Sequence, residues 1–303
     1  MTENRELQVY VNGQLVPESQ AVVSALDRGL RWGDAVYDVE RTFAGQVHKL
    51  GAHMDRLYRS LLYTRIDPGM TKEEMEKATL EVVEANRPLL GPNDDFLVAQ
   101  VVTRGLVKPK LRDKATVVIY CQSVPFDEFA QKYGTGVRLV TPATRRTPPE
   151  CLSPKAKISN KMNHFMAQFE AKQVDPEALA LMLDLHGNVV EAEGANFLFV
   201  ADGCLKIPNR RQVLPGIAME TVLELAENLG IEVEEGDYTA FDIYHADEAF
   251  LTATSYCVLP VASLNGLQIG EETPGPVTKA LLAAWSETVG MDIVDQAAGV
   301  ARR

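Results

Sequence analysis

Ala35-Val36-Tyr37-Asp38-Val39-Glu40-Arg41-Thr42-Phe43 runs through Ala44-Gly45 into Gln46-Val47-His48-Lys49-Leu50. β-branched and aromatic residues fill the first run and Ala-Gly supplies the turn, so the two runs read as antiparallel strands. A helix is expected over 51–64, directly after the return strand. Strand, turn, strand and helix is the order of a mixed α+β layer. Upstream, Gln8-Val9-Tyr10-Val11 leads into Asn12-Gly13 and returns as Gln14-Leu15-Val16; Asn-Gly between β-forming residues signals a hairpin. Downstream, Thr71 and Glu74 make a capping box before Met75, Ala78 and Val82, predicting a helix over 71–87. Residues 96–104 and 115–121 are apolar enough to be paired strands.

Residues 122–136 lose this periodicity and carry Pro125, Gly134 and Gly136, the pattern of an interdomain linker. Beyond it, strands are expected at 137–140, 178–185 and 189–191. A helix over 160–173 comes between the first two. A hairpin joins 197–201 to 204–207 around Asp202-Gly203, and a helix over 216–229 ends at Gly230. Strands near 248–253 and 258–261 and a helix near 274–289 close the chain. The expected fold class is α+β / α/β: a small N-terminal α/β domain over 1–121, the linker 122–136, and a larger C-terminal domain over 137–303. A length of 303 residues suits two domains at about 150 residues each.

The balance of 30 basic against 42 acidic residues, a net charge of −12, argues against nucleic-acid binding, which needs a basic face. No apolar run approaches the roughly 18 residues that span a bilayer. Residues 1–16 lack a basic stretch followed by an apolar one, so a cytoplasmic protein is expected. Cys121, Cys151, Cys204 and Cys257 form no C-x-x-C pair, and the five histidines show no zinc spacing. No metal is expected. The P-loop, dinucleotide and nucleophile-elbow motifs are also missing.

Three segments carry candidate chemistry. In Ser153-Pro154-Lys155-Ala156-Lys157-Ile158-Ser159-Asn160-Lys161, a lysine between small and apolar residues can be desolvated into a free amine that attacks a carbonyl. Three lysines in seven residues also suit a solvated helix start. In Val190-Glu191-Ala192-Glu193-Gly194-Ala195-Asn196, a strand ends in a carboxylate able to hold a ring nitrogen protonated; an acidic β-turn is the plain alternative. Leu214-Pro215-Gly216-Ile217-Ala218 opens a helix whose backbone N–H groups suit an anion. Thr252-Ala253-Thr254-Ser255 adds hydroxyls at a strand end, and Arg56 adds charge.

Together and in this order the segments resemble the class IV (fold type IV) pyridoxal phosphate aminotransferases. The likeness covers Asp27-Arg28-Gly29, Gly33-Asp34 and Tyr37. It continues through His53-x-x-Arg56-Leu57, Lys157 placed 13 residues before Glu170-Ala171, and Glu191 five before Asn196. Leu214-Pro215-Gly216-Ile217 and Thr254 ahead of Leu259-Pro260-Val261 complete it. The resemblance implies a two-domain enzyme with pyridoxal 5'-phosphate between the domains and Lys157 as the Schiff-base lysine and proton shuttle. Lys155 and Lys161, 15 and 9 residues before Glu170, do not fit that spacing. By the same matching Glu191 pairs with the pyridine nitrogen, while Arg56, Thr254 and the backbone of Ile217 and Ala218 hold the phosphate. Ala218 stands where the family usually has Thr or Ser, Ala192-Glu193 where it has Gly, and Lys161-Met162 where branched-chain members carry Tyr.

For the substrate, Val98 stands in the place compared with an arginine of branched-chain enzymes. Tyr37-Asp38-Val39 and Val101-Val102-Thr103-Arg104-Gly105-Leu106 look most like the (R)-amine transaminases. Strand alternation puts Tyr37, Val39 and Arg41 on one face. If that face lines the pocket, Arg41 is a carboxylate partner, with Trp32, Tyr37 and Tyr256 as walls and Ser255 beside them. A structural ion pair for Arg41 is the other reading. Lys108, Lys110, Arg112 and Lys114 suit either a loop that steers keto acids or a solvated loop. The function expected is ping-pong amino transfer between an amine or amino acid and a 2-keto acid, of (R)-amine or D-amino type. Branched-chain L-amino-acid transfer and an aminodeoxychorismate lyase-like elimination are alternatives. A non-catalytic binder has no use for both Lys157 and Glu191. The family usually forms homodimers.

Overall fold

The Asn12-Gly13 turn closes a hairpin of β1 (Gln8–Val11) and β2 (Gln14–Pro17), with Asn12 at φ 50° and Gly13 at φ 99°. Both lie in the left-handed region that a two-residue hairpin turn demands. In this computed structural model, which describes residues 6–106 and 114–301, the chain divides into two units. The first runs to Val124 and also contains Ala156–Asn160; the second holds Pro125–Lys155 and everything from Lys161.

In the first unit α1 (Arg28–Trp32) is capped by the Asp27 carboxylate, which accepts from the Gly29 N–H. Then come β3 (Ala35–Phe43), β4 (Gln46–Val47), α2 (Leu50–Thr64) and α3 (Lys72–Asn86), followed by β5 (Phe96–Thr103) and β6 (Thr116–Ser123). The return strand expected to reach Leu50 stops at Val47, because Lys49 at φ 49° turns the chain into α2. The Thr71–Glu74 capping box opens α3 as its sequence requires. The strands form an antiparallel sheet in the order β2-β1-β6-β5-β3-β4. Val36, Val98, Val102 and Ile119 lie on the face packed against Met54, Leu57, Leu61, Met75 and Val82 of α2 and α3. Segment 156–160 joins this sheet: Val36 bridges to Ile158, and the Ser159 N–H donates to the Ala35 carbonyl.

The second unit starts with α4 (Phe126–Phe129) and α5 (Lys132–Thr135), where the sequence suggested a plain linker. Phe126, Phe129 and Tyr133 are buried there, an apolar helical spacing hidden among Pro and Gly. After β7 (Val137–Val140) come α6 (Met162–Val174), β8 (Leu179–Leu183), β9 (Val189–Ala192), β10 (Ala195–Ala201) and β11 (Cys204–Pro208). The chain continues as α7 (Ile217–Asn228), β12 (Val233–Gly236), α8 (Ala240–Tyr244), β13 (Glu248–Ala253), β14 (Cys257–Leu264), β15 (Leu267–Gln268), α9 (Pro276–Val289) and α10 (Ile293–Ala301). β10, β13, β14, β7, β8 and β9 follow one another in the sheet, and β9 pairs back onto β10, so the sheet closes on itself. Closure places Glu191 directly opposite Asn196. Among the described residues no helix is long and apolar enough to cross a membrane.

Candidate active site

Lys157 lies in the first unit, although the sequence-based boundary put it in the C-terminal domain. It sits in the irregular stretch between the Val36–Ile158 bridge and Ala156, which is buried. Its Nζ lies 4.7 Å from the centroid of the Tyr37 ring, a cation–π contact. The Tyr37 N–H donates to the Lys157 carbonyl at 3.1 Å, and the Lys157 N–H donates to Ser60 Oγ at 3.0 Å. Lys155, in contrast, is exposed.

Beneath this lysine α2 meets β3 through buried charge. Asp38 Oδ2 accepts from Arg56 Nε at 2.9 Å. Its Oδ1 accepts from Arg56 Nη2 at 2.6 Å and lies 2.8 Å from His53 Nδ1. Burial raises the Asp38 pKa, but the Arg56 charge and hydrogen bonds outweigh it and hold the carboxylate ionised. Glu40, two residues on, is pushed well up by burial and by the Asp38 charge, so it stays protonated while Gln100 Nε2 donates to its Oε2. Burial lowers the His53 pKa, favouring the neutral ring. Asp38, Glu40 and His53 have the spacing of a metal cluster, yet the guanidinium of Arg56 already meets the charge on Asp38. Arg56, expected at a phosphate, is buried and held by two hydrogen bonds to Asp38.

The opposite face of β3 carries Tyr37, Val39 and Arg41, registered against Val101, Ala99 and Leu97. Val98 is on the other face, fully buried in the core, so its comparison with a substrate-binding arginine is corrected: its side chain cannot reach the Tyr37 face. Arg41 is 1% exposed with its guanidinium over the Phe43 ring at 4.5 Å. Trp32 ends α1, half exposed, with the guanidinium groups of Arg28 and Arg31 over its ring. Arg112 lies outside the described residues.

In the second unit Glu191 is buried, and its Oε1 takes Arg146 Nε at 2.8 Å while His164 Nε2 approaches at 3.5 Å. Its Oε2 accepts the Leu214 N–H at 3.0 Å. Burial alone would raise its pKa; the contact from His164 and the charge of Arg146 outweigh that and hold it at about 2. His164 is pushed towards the neutral form by its own burial, and its Nδ1 has no hydrogen-bond partner among the described residues, which fits a proton on Nε2 directed at Glu191.

The Leu214 peptide is clamped at both ends, because Asn196 Nδ2 donates to its carbonyl at 2.9 Å. Two residues later a Cβ at Gly216 would overlap the Asn196 side-chain oxygen, so only glycine lets the chain pass. The ladder of α7 begins with the Glu220 N–H on the Gly216 carbonyl, and no side chain caps the helix. The N–H groups of Ile217 and Ala218 therefore precede the ladder and point out of the helix start. Thr252, opposite Asn196 in the sheet, has a buried Oγ1 with no partner among the described residues. Thr254 and Ser255 lie in the turn after β13. Tyr256 in the same turn is half-buried; its ring packs edge-on to Phe129 at 5.9 Å, and its carbonyl accepts from Tyr133.

The donor set fits the expected cofactor. In the second unit an ionised buried carboxylate suits a protonated ring nitrogen and an uncapped helix start suits a phosphate; in the first, a lysine amine held over an aromatic face suits an aldehyde. Sequence reasoning missed Ser60, Arg146 and His164, which hold those groups in place. Arg146 and His164 lie 45 and 27 residues from Glu191, and no local pattern joins them to it.

The sequence model of amino-transferase class IV matches residues 35–264. A protein described as a putative branched-chain-amino-acid aminotransferase of Methanocaldococcus jannaschii is 36% identical over 91% of this chain and 94% of its own length. A D-alanine aminotransferase of Bacillus licheniformis is 30% identical over 93% and 97%. The crystal structure of the branched-chain amino acid aminotransferase from Thermobaculum terrenum, in its pyridoxal phosphate holo-form, superposes with a TM-score of 0.82 at 25% identity, covering 95% of this chain and 95% of that one.

Proposed function

The chain belongs to the class IV aminotransferases, and on that premise we propose that it moves an amino group from an amine or amino acid with an apolar side chain to a 2-keto acid. It is a transaminase, and its cofactor is pyridoxal 5'-phosphate. When bound, that cofactor supplies an aldehyde for a lysine amine and a pyridinium ring that draws electrons from the neighbouring carbon. Residues of the chain do the rest. Lys157 supplies the amine and, once a donor has displaced it, would take the proton of the donor's α-carbon at Nζ and pass it on to the cofactor's former aldehyde carbon. Glu191, kept ionised by Arg146 and His164, holds the proton on the ring nitrogen. Ile217 and Ala218 would offer backbone N–H groups to the phosphate and Thr254 its hydroxyl, and by the family resemblance Arg56 would add its charge. Ala218 has no hydroxyl, so its backbone alone contributes.

The observation that carries the donor class is the surface next to the Lys157 amine. Tyr37 under the amine is followed on the same face by Val39, with Ala99 and Val101 in register beside them. Such a surface favours an apolar donor substituent. Within that class the Tyr37-Asp38-Val39 and Val101-to-Leu106 patterns support a D-amino or (R)-amine donor. The identity with the Methanocaldococcus protein favours a second reading, transfer from branched-chain L-amino acids.

Transfer to pyruvate or 2-oxoglutarate from D-alanine, (R)-1-phenylethylamine, L-leucine and L-aspartate, measured as keto product formed, tests both. The first reading expects one of the first two donors to exceed L-leucine at least about tenfold in kcat/KM, a difference of about 1.4 kcal/mol. L-Leucine alone reacting overturns the configuration but keeps the apolar class; turnover confined to L-aspartate contradicts the class. The family resemblance also implies a homodimer, which light scattering of the loaded enzyme checks.

A further inference from the structure

Lys157 is held by its backbone as well as by its side chain. Its carbonyl is fixed to β3 through the Tyr37 N–H, and its own N–H donates to Ser60 Oγ at 3.0 Å. Ser60 is fully buried on α2, and its hydroxyl proton goes to the Arg56 carbonyl at 2.9 Å, one turn back. A serine bonded to the carbonyl four residues earlier is a common local feature of helices. Here the same oxygen also accepts from a residue 97 positions away, which no local preference explains. One buried hydroxyl thus joins the helical turn that carries Arg56 to the peptide that carries Lys157.

The geometry points to Ser60 as a positioning residue: we propose that its hydroxyl fixes the Lys157 peptide so that the side-chain amine stays over the Tyr37 ring. The proposal rests on the reading of Lys157 as the reactive amine. The Val36–Ile158 bridge and the Ser159–Ala35 hydrogen bond do not involve Ser60, so they keep segment 156–160 docked when the hydroxyl is lost. Removing the hydroxyl therefore loosens the lysine more than the fold.

The test is the rate and place at which the full chain, freed of cofactor, attaches pyridoxal phosphate. The unprotonated amine bonds to the aldehyde carbon with loss of water, and borohydride then delivers hydride to that carbon and fixes the adduct for peptide mapping by mass. In the wild type the adduct is expected on Lys157. Ser60→Ala is expected to attach about fivefold more slowly, the worth of one net hydrogen bond, while its far-ultraviolet circular dichroism stays that of the wild type. A purely structural role would lower the melting temperature and leave the attachment rate of the folded chain unchanged; that result overturns the proposal. If Ser60→Ala does not fold, Ser60→Cys, nearly the same size with a weaker acceptor, takes its place, and wild-type attachment by it overturns the proposal equally. An adduct on Lys155 or Lys161 in the wild type removes the underlying reading of Lys157, a failure distinct from that of Ser60.

Discussion

Glu191 shows how a buried charge can be kept for chemistry. A carboxylate so far from water persists only because Arg146, His164 and the Leu214 N–H surround it. Replacing the arginine, Arg146→Met, leaves Glu191 without its ionic partner and should lower stability by about 3 kcal/mol, read by urea unfolding. The sign of the pH effect follows from a folded pKa of about 2, below the ordinary value of 4.5. Its stabilisation is complete above pH 4.5 and is lost as pH falls towards 2, a loss on the order of 3 kcal/mol. Glu191→Gln should flatten that part of the acid unfolding profile. At this scale the sequence pointed to Lys157 and Glu191 as candidates and hid the residues that surround them. Lys157 and Glu191 sit in motifs with their own spacing. Arg146 reaches Glu191 only because its N–H is held by the Leu183 carbonyl of β8, the strand that pairs with β9. Ser60 escaped for another reason: it acts through a backbone amide, which leaves no mark in the residue pattern around Lys157.

Among the elements, α7 has a start whose backbone N–H groups no side chain caps, the feature on which the proposed phosphate site rests. The Asn196 side chain clamps Leu214 and lies where any side chain at position 216 would have to go. Gly216→Ala is expected to displace the helix start and weaken cofactor affinity at least about tenfold, about 1.4 kcal/mol in binding, measured by fluorescence titration with pyridoxal phosphate. Unchanged affinity would remove α7 from the phosphate site. Thr71→Ala, which breaks the capping box of α3, should cost about 1 kcal/mol of stability and leave cofactor binding alone. Elements with strong local signals were legible: the Asn12-Gly13 hairpin, the nine residues of β3 and the boxed α3 fall within a residue or two of expectation. The short α1 and α8, the edge strand β12 and the terminal α10 were not anticipated. Five residues give a helix too little periodicity to be recognised, and β12 is an exposed edge strand of four residues that pairs in parallel with β11. Phe126, Phe129 and Tyr133 had the helical spacing, but Pro125 and Gly134 outweighed it as turn signals.

For the molecule as a whole, the two units each carry a sheet and helices, and the family's sequence model spans parts of both. A ligand that binds only the folded chain adds stability in step with its concentration. Pyridoxal phosphate at 100 times its dissociation constant should add about 2.7 kcal/mol, visible as a rising melting temperature. On the proposed reading Lys157 carries out amino transfer on this cofactor. The most direct test of that reading is the absorption spectrum of the loaded wild type and of loaded Lys157→Ala, each followed as D-alanine, (R)-1-phenylethylamine or L-leucine is added. At least one donor is expected to bleach the wild-type visible band and a 2-keto acid to restore it, while Lys157→Ala does neither at a comparable rate. A wild-type band that no donor alters, or a Lys157→Ala protein that cycles as fast as the wild type, would contradict that reading.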